Sequence, residues 1–194
     1  MIPTFDMQCA AFSGQRLIAE GRPQDVLDAV KAATDAGEGV LVFDLASGHA
    51  VEFDLRGDLE TALARLPVAA PEPKKGPGRP RLGVTAREVT LLPRHWDWLA
   101  GQPGGASAAL RKMVEAAMRE AEGPDRARRA QEAAYRFMTA LAGDLANYEE
   151  AVRMLFAGDR TGFAAATVDW PQGLRDTARG MAEPSWAVRP PEAV

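Results

Sequence analysis

Residues 74–120 read KKGPGRPRLGVTAREVTLLPRHWDWLAGQPGGASAALRKMVEAAMRE, and two kinds of chain meet in them. Up to Arg81 the cations Lys74, Lys75, Arg79 and Arg81 ride on backbone that Pro77 and Pro80 keep extended and Gly76 and Gly78 keep thin. From Arg87 the pattern becomes strand, helix, turn, helix. Residues 87–92 are rich in strand formers, Pro93 suits a first helical position, and Pro103-Gly104-Gly105 stops that helix near Gln102. Ser107 is placed to cap the next helix, in which Leu110, Met113, Val114, Ala117 and Met118 fall at i, i+3, i+4, i+7 and i+8 as one apolar stripe. Arg111, Lys112, Glu115, Arg119 and Glu120 take the other side. One short strand with two helices buries too little surface to stand alone, so the unit at 84–122 is expected to need a partner.

An extended cationic strip fits the narrow minor groove of A·T-rich duplex, where negative potential is concentrated. The strip resembles an AT-hook, which implies duplex DNA as a partner, with Arg79, helped by Arg81, entering the groove and Lys74 and Lys75 neutralising phosphates. It departs from that motif at Pro77, where an AT-hook core carries an arginine. Gly, Pro and Lys are also the composition of a solvated spacer, so 67–83 reads either as a linker or as a DNA-contacting arm.

The next segment resembles the ribbon-helix-helix fold of bacterial repressors and antitoxins, residues 87–92 matching its strand and 107–114 its second helix. In that family two chains pair their strands into a ribbon that enters the major groove, and the second helix starts at a phosphate. The resemblance implies a homodimer in which Arg87, Thr90 and Ser107 face DNA, while Val89, Leu91, Trp98, Leu110, Met113 and Val114 join the chains. One strand face carries Arg87, Val89 and Leu91 and the other Glu88, Thr90 and Leu92, so neither is polar throughout. The likeness therefore supports dimerisation better than base readout.

Trp96 and Trp98 sharpen the expectation of a partner. Side chains two apart on a helix diverge by about 200°, so one core cannot shelter both indoles from the same side. Trp96 shares its side with Leu99 and Ala100 and is expected to face the second helix, leaving Trp98 for a partner chain or another domain.

The chain as a whole is similar to an uncharacterised bacterial family known as a domain of unknown function. That likeness runs from Phe43-Asp44 through Phe53-Asp54-Leu55-Arg56-Gly57 to Trp170-Pro171. It implies a bacterial, cytoplasmic protein and supplies no activity.

Charge is unevenly spread along the 194 residues, whose net charge is −4. Residues 1–73 carry 5 basic and 12 acidic side chains, 74–96 carry 6 and 1, and 97–194 carry 12 and 14. Positive charge sits where a nucleic-acid contact needs it, although the same segment could fold back on the acidic amino-terminal region. With 46% apolar and 26% charged residues the composition is that of a folded protein. No apolar run reaches the roughly 20 residues of a membrane helix, and no basic-then-apolar leader opens the chain, so no membrane partner is expected.

The fold class expected is α+β. Residues 5–12 and 15–20 read as strands about Ser13-Gly14, Pro23 opens a helix that Gly37 ends, and 39–45 with 50–55 read as a hairpin about Ser47-Gly48. Residues 58–66 form a short helix, which completes a small domain at 1–66 with one helix over an antiparallel sheet. A helical domain follows at 123–183. Gly123-Pro124 breaks the chain ahead of it, and residues 125–142 form its first helix. Ala142-Gly143-Asp144 with Tyr148 then recurs as Ala157-Gly158-Asp159 with Phe163, each unit offering a glycine to stop one helix and an aspartate to cap the next. Trp170-Pro171 starts a last helix, and 184–194 reads as a loose tail.

Chemistry-bearing residues are sparse. Cys9 is the one cysteine and His49 and His95 the two histidines, so no zinc cluster can be assembled, and Cys9 in an apolar strand reads as packing more readily than as a nucleophile. Asp44 and Asp54 each follow a phenylalanine, and alternation places them on the wet face of a half-buried sheet rather than in a metal site. Glu149 and Glu150 point about 100° apart on a helix and do not face one another. With no nucleophile elbow, phosphate loop or dinucleotide fingerprint, no enzyme and no cofactor is expected. A homodimeric DNA-binding protein is the leading expectation, and a helical interaction or scaffolding dimer the alternative.

Overall fold

The computed structural model describes residues 7–67, 85 and 87–186. They fall into two compact units, one within Met1–Ala69 and Gly123–Val194 and the other within Ala70–Glu122.

The first unit is built on three antiparallel strands, β1 (Cys9–Ser13), β2 (Arg16–Gly21) and β3 (Val40–Asp44), in the order β2-β1-β3. The β1-β2 turn places Gly14 at a φ of 56°, a left-handed geometry suited to the glycine there. Helix α1 (Pro23–Asp35) opens on its proline, and the chain leaves it through Gly37 at φ 82°. It lays Val26 and Val30 on Cys9, Ala11, Val42 and Val51. A short α2 (Leu59–Ala64) follows, its first turn held by the Asp58 carboxylate, which accepts from Thr61 N at 2.8 Å.

The α+β class is as expected, but the sheet has no wet face. Ala10, Phe12 and Phe43 point away from α1 into a second cluster with Phe137, Leu155, Phe163 and Leu174. Phe137 meets Phe12 and Phe43 with ring centroids 5.4 and 5.3 Å apart. Cys9, Ala10, Ala11 and Phe12 are all fully buried, the signature of a central strand covered on both sides. The segments expected as separate domains at 1–66 and 123–183 therefore share one core.

The helices that cover the second face are the carboxyl-terminal part of α4 (Gly105–Leu141), then α5 (Tyr148–Ala157), α6 (Arg160–Ala166) and α7 (Gln172–Ala182). A 3₁₀ turn, Glu183–Trp186, follows α7 and sets the Trp186 ring 5.4 Å from that of Phe163. The tail thus packs as far as Trp186, and residues 187–194 lie outside the described residues. The second unit contains α3 (Pro93–Ala100) and the start of α4.

Several local expectations are corrected. Residues 50–55 make no strand. Ala50 bridges Phe43 and Val51 N donates to Val42 O at 2.7 Å, and there the ladder ends. Asp54 instead turns to Arg56 and Arg65, at 2.6 and 3.3 Å. Asp44 is buried rather than wet, because its carboxylate folds into the turn that follows, accepting from Ala46 N at 3.2 Å and from the Ser47 hydroxyl.

Gly123-Pro124 does not break the chain, since α4 passes through Pro124 without interruption. A proline inside a helix costs about 3 kcal/mol, and the burial of Ala133, Ala134, Phe137 and Met138 beyond it offsets that loss. The repeat around Gly143 and Gly158 holds in its second copy alone. Gly158 ends α5 at φ 72° and Asp159 caps α6 through Gly162 N at 2.9 Å, whereas α5 is preceded by left-handed Asn147 and not capped by Asp144.

Candidate functional site

In the second unit two left-handed glycines, Gly104 at φ 84° and Gly105 at 75°, turn the chain from α3 into α4. The helix starts at Gly105, so Ser107 lies within its first turn and is not the cap expected of it. Residues 87–92 form no strand with any described residue. Arg87 and Thr90 are exposed there, Val89 and Leu92 are also exposed, and Leu91 is half-buried.

The apolar stripe of α4 is uncovered. Leu110 is half-buried, Met113 is exposed, and Val114 and Met118 keep 54% and 66% of their surface in solvent. Only Leu99 of α3 is fully sheltered, while Trp96 and Trp98 remain 41% and 54% exposed. Trp96 is thus not covered by α4 as the helical spacing suggests. The structure does gather Met113, Val114 and Met118 along one side of a helix, where 3.6-residue spacing puts them. Lys74, Lys75, Arg79 and Arg81, expected to contact DNA, lie outside the described residues.

The first unit holds a cleft of about 1420 Å³ that the sequence did not announce. β2 contributes Arg16, Leu17 and Glu20, α4 contributes Arg126, Arg129, Ala130 and Ala133, and α7 contributes Asp176, Thr177 and Gly180. Spacing explains each wall: positions 126, 129, 130 and 133 share one helical face, as do 173, 176, 177 and 180. α7 reaches β2 because Gly173 has no side chain, since a Cβ there would stand 2.5 Å from Leu17 Cβ. Gly48 does the same work nearby. It is buried at φ 70°, and a Cβ on it would stand 2.1 Å from the carbonyl oxygen of Ala133. Arg136 fastens this contact by donating to Ser47 O at 2.8 Å.

Charge in the cleft is partly spoken for. Arg16 pairs with Glu38 at 2.9 Å, and Asp176 with Arg175 at 2.9 Å. The exposed side chains of Arg126, Arg129 and Glu20 make no hydrogen bond or ion pair with any described residue. The Thr177 hydroxyl is buried and has no hydrogen-bond partner among the described residues.

Cys9, Asp54 and Glu150 have structural surroundings. Cys9 is fully buried across from Asp44, and burial first, then the Asp44 charge, push its thiol up to about 11. Such a thiol stays protonated at neutral pH and packs as an apolar group. Hydrogen bonds from Arg56, aided by the charge of Arg65, hold the Asp54 carboxyl well below the usual carboxylate range. Glu150 pairs with Arg153 and so does not face Glu149. Among the described residues no three His, Cys, Asp or Glu side chains converge as a metal ion requires, and no helix is long and apolar enough to cross a membrane.

A family model described as an uncharacterized protein conserved in bacteria, DUF2239, matches residues 8–182. The chain belongs to that family. The DUF2239 match runs from the residue before β1 to the end of α7, and so takes in all of the cleft's lining but Pro184 as well as α3 and all of α4. No curated protein and no solved structure matches the chain.

Proposed function

We propose that the protein is a homodimeric DNA-binding protein, a transcriptional regulator or nucleoid-associated protein, in which the 84–122 unit joins two chains and the basic segment at 74–81 follows the duplex. The observation that carries this reading is the uncovered apolar surface of that unit. Val89, Leu92, Trp96, Trp98, Met113, Val114 and Met118 are all exposed within a stretch of thirty residues. Scattered single apolar residues are normal on a surface, but a concentration of this kind on a small unit marks an interface.

Charge favours DNA as the second partner, since 74–96 carry 6 basic side chains and 1 acidic one in a chain of net charge −4. The first turn of α4 carries no acidic residue, which leaves its N–H groups suited to a phosphate.

Sedimentation and a salt titration of duplex binding test the reading together. A dimer at micromolar concentration is expected, with affinity for A·T-rich duplex falling steeply as salt rises, because bound cations displace condensed counterions. Arg79→Ala combined with Arg81→Ala should weaken duplex binding and leave the dimer intact. A monomer at micromolar concentration removes the ribbon and the major-groove contact with it. A dimer that ignores duplex at low salt turns the protein into an interaction or scaffolding dimer.

A further inference from the structure

The cleft of the first unit is independent of the proposed dimer and of DNA, and three observations on its walls point to one class of occupant. Its floor is apolar and small, with Leu17, Leu45, Ala130 and Ala133 leaving about 1420 Å³, a volume above that of most small-molecule sites. Its charge is unbalanced. With Arg16 tied to Glu38 and Asp176 to Arg175, the groups without a partner among the described residues are Arg126, Arg129 and Glu20, one positive charge in excess. Its polar anchor is unused: Thr177 is only 7% exposed, and its hydroxyl has no partner among the described residues.

A buried hydroxyl in a native protein is normally satisfied, and a threonine inside a helix ordinarily bonds the carbonyl four residues back. The Thr177 hydroxyl does not. The first turn of α7 adds free donors, since Pro171 precedes it without any side-chain cap and Pro171, Gln172 and Gly173 all line the cleft.

We infer that the cleft binds a small monocarboxylate with an apolar body, its head taken by Arg126, Arg129 and the Thr177 hydroxyl and its body laid over Leu17, Ala130 and Ala133. Guanidinium groups present paired N–H donors that match a carboxylate, and a single excess positive charge suits a monoanion better than a dianion.

Octanoate is the probe, titrated calorimetrically into the full chain with octanamide and octyl phosphate in parallel. One octanoate per chain is expected, with octanamide at least about tenfold weaker because it lacks the charge, and octyl phosphate weaker than octanoate. Arg126→Gln with Arg129→Gln should weaken octanoate at least about tenfold, and Thr177→Val a few-fold. Gly180→Phe should weaken binding by taking up the part of the cleft beside Thr177, which shares its helical face. Nothing lies within 4 Å of the Cβ built there and its φ is ordinary, so the first atom of the new side chain enters open space, and circular dichroism checks that the fold is kept. Binding that survives both the arginine pair and Gly180→Phe belongs to another surface and overturns the proposal, as does the lack of saturable octanoate binding at millimolar concentration. Octyl phosphate binding tighter than octanoate overturns the carboxylate assignment.

Discussion

The two units treat their apolar residues in opposite ways. In the first, β1 is buried on both faces, with α1 on one side and the helices from α4 onward on the other. In the second, a helix stripe as regular as any in the first unit lies open, and of α3 only Leu99 is enclosed. The same 3.6-residue periodicity thus gives a core in one place and a bare surface in the other. What differs is the supply of neighbours. A sheet offers two faces that helices from distant parts of the chain can cover, whereas α3, the start of α4 and residues 87–92 leave Met113 and Val114 exposed among the described residues. Periodicity says that a face will be covered, and it does not say whether by this chain or by another.

Damage to the first unit should produce the largest effect. Phe137 is fully buried against Phe12 and Phe43, so Phe137→Ala removes the contact of α4 with both β1 and β3. Urea unfolding should register a loss of about 3–5 kcal/mol. A loss below about 1 kcal/mol would mean that sheet and helices do not depend on one another.

Next comes Gly48→Ala. The new methyl group would meet the Ala133 backbone at 2.1 Å from a left-handed φ of 70°, so strain and collision add. About 2–4 kcal/mol should be lost, read as a fall in Tm. The same substitution at Gly14 or Gly37 meets no atom within 4 Å and should cost less.

For the second unit the informative change leaves the monomer alone. Residues 87–92 make no ladder with any described residue, so Thr90→Pro removes no strand bond among the described residues. If two chains pair there, proline deletes a ladder donor and obstructs the ribbon, and the dimer dissociation constant should rise at least about 30-fold, near 2 kcal/mol, by sedimentation. An unchanged constant would move the interface onto α3 and α4.

The sequence exposed the first unit's elements more readily than their assembly. Ser13-Gly14, Pro23, Gly37 and Asp159 each mark a turn, a helix end or a cap by local chemistry, and local chemistry is what a sequence displays. The run Cys9-Ala10-Ala11-Phe12 does carry a hint of double coverage, since it is apolar without alternation. Alternation applied to Asp44 failed because its carboxylate bends into its own turn, and Pro124 misled because tertiary burial outweighed a local breaker. The cleft was illegible for a different reason. Leu17, Arg129 and Thr177 lie far apart in the chain and match no motif, and nothing in one-dimensional spacing shows that Thr177 goes without a partner. In the second unit the stripe was legible, and the expected dimer already assigned Met113 and Val114 to a partner chain, whereas the exposure of Trp96 was not foreseen.

The smallest effect sharpens the contrast most. Trp98 is 54% exposed, so Trp98→Ala removes little surface that folding had taken from water, and a single chain should lose no more than about 0.5 kcal/mol. An indole that a second chain covers behaves otherwise. Its burial then belongs to association, and mass action ties association to protein concentration. The urea midpoint of the parent protein should therefore rise between micromolar and submicromolar samples in favour of the concentrated one, while Trp98→Ala flattens that dependence and matches the parent at the dilute end. A loss of stability that is equal at both concentrations would place Trp98 against its own chain, and the second unit would then be completed from within, like the first.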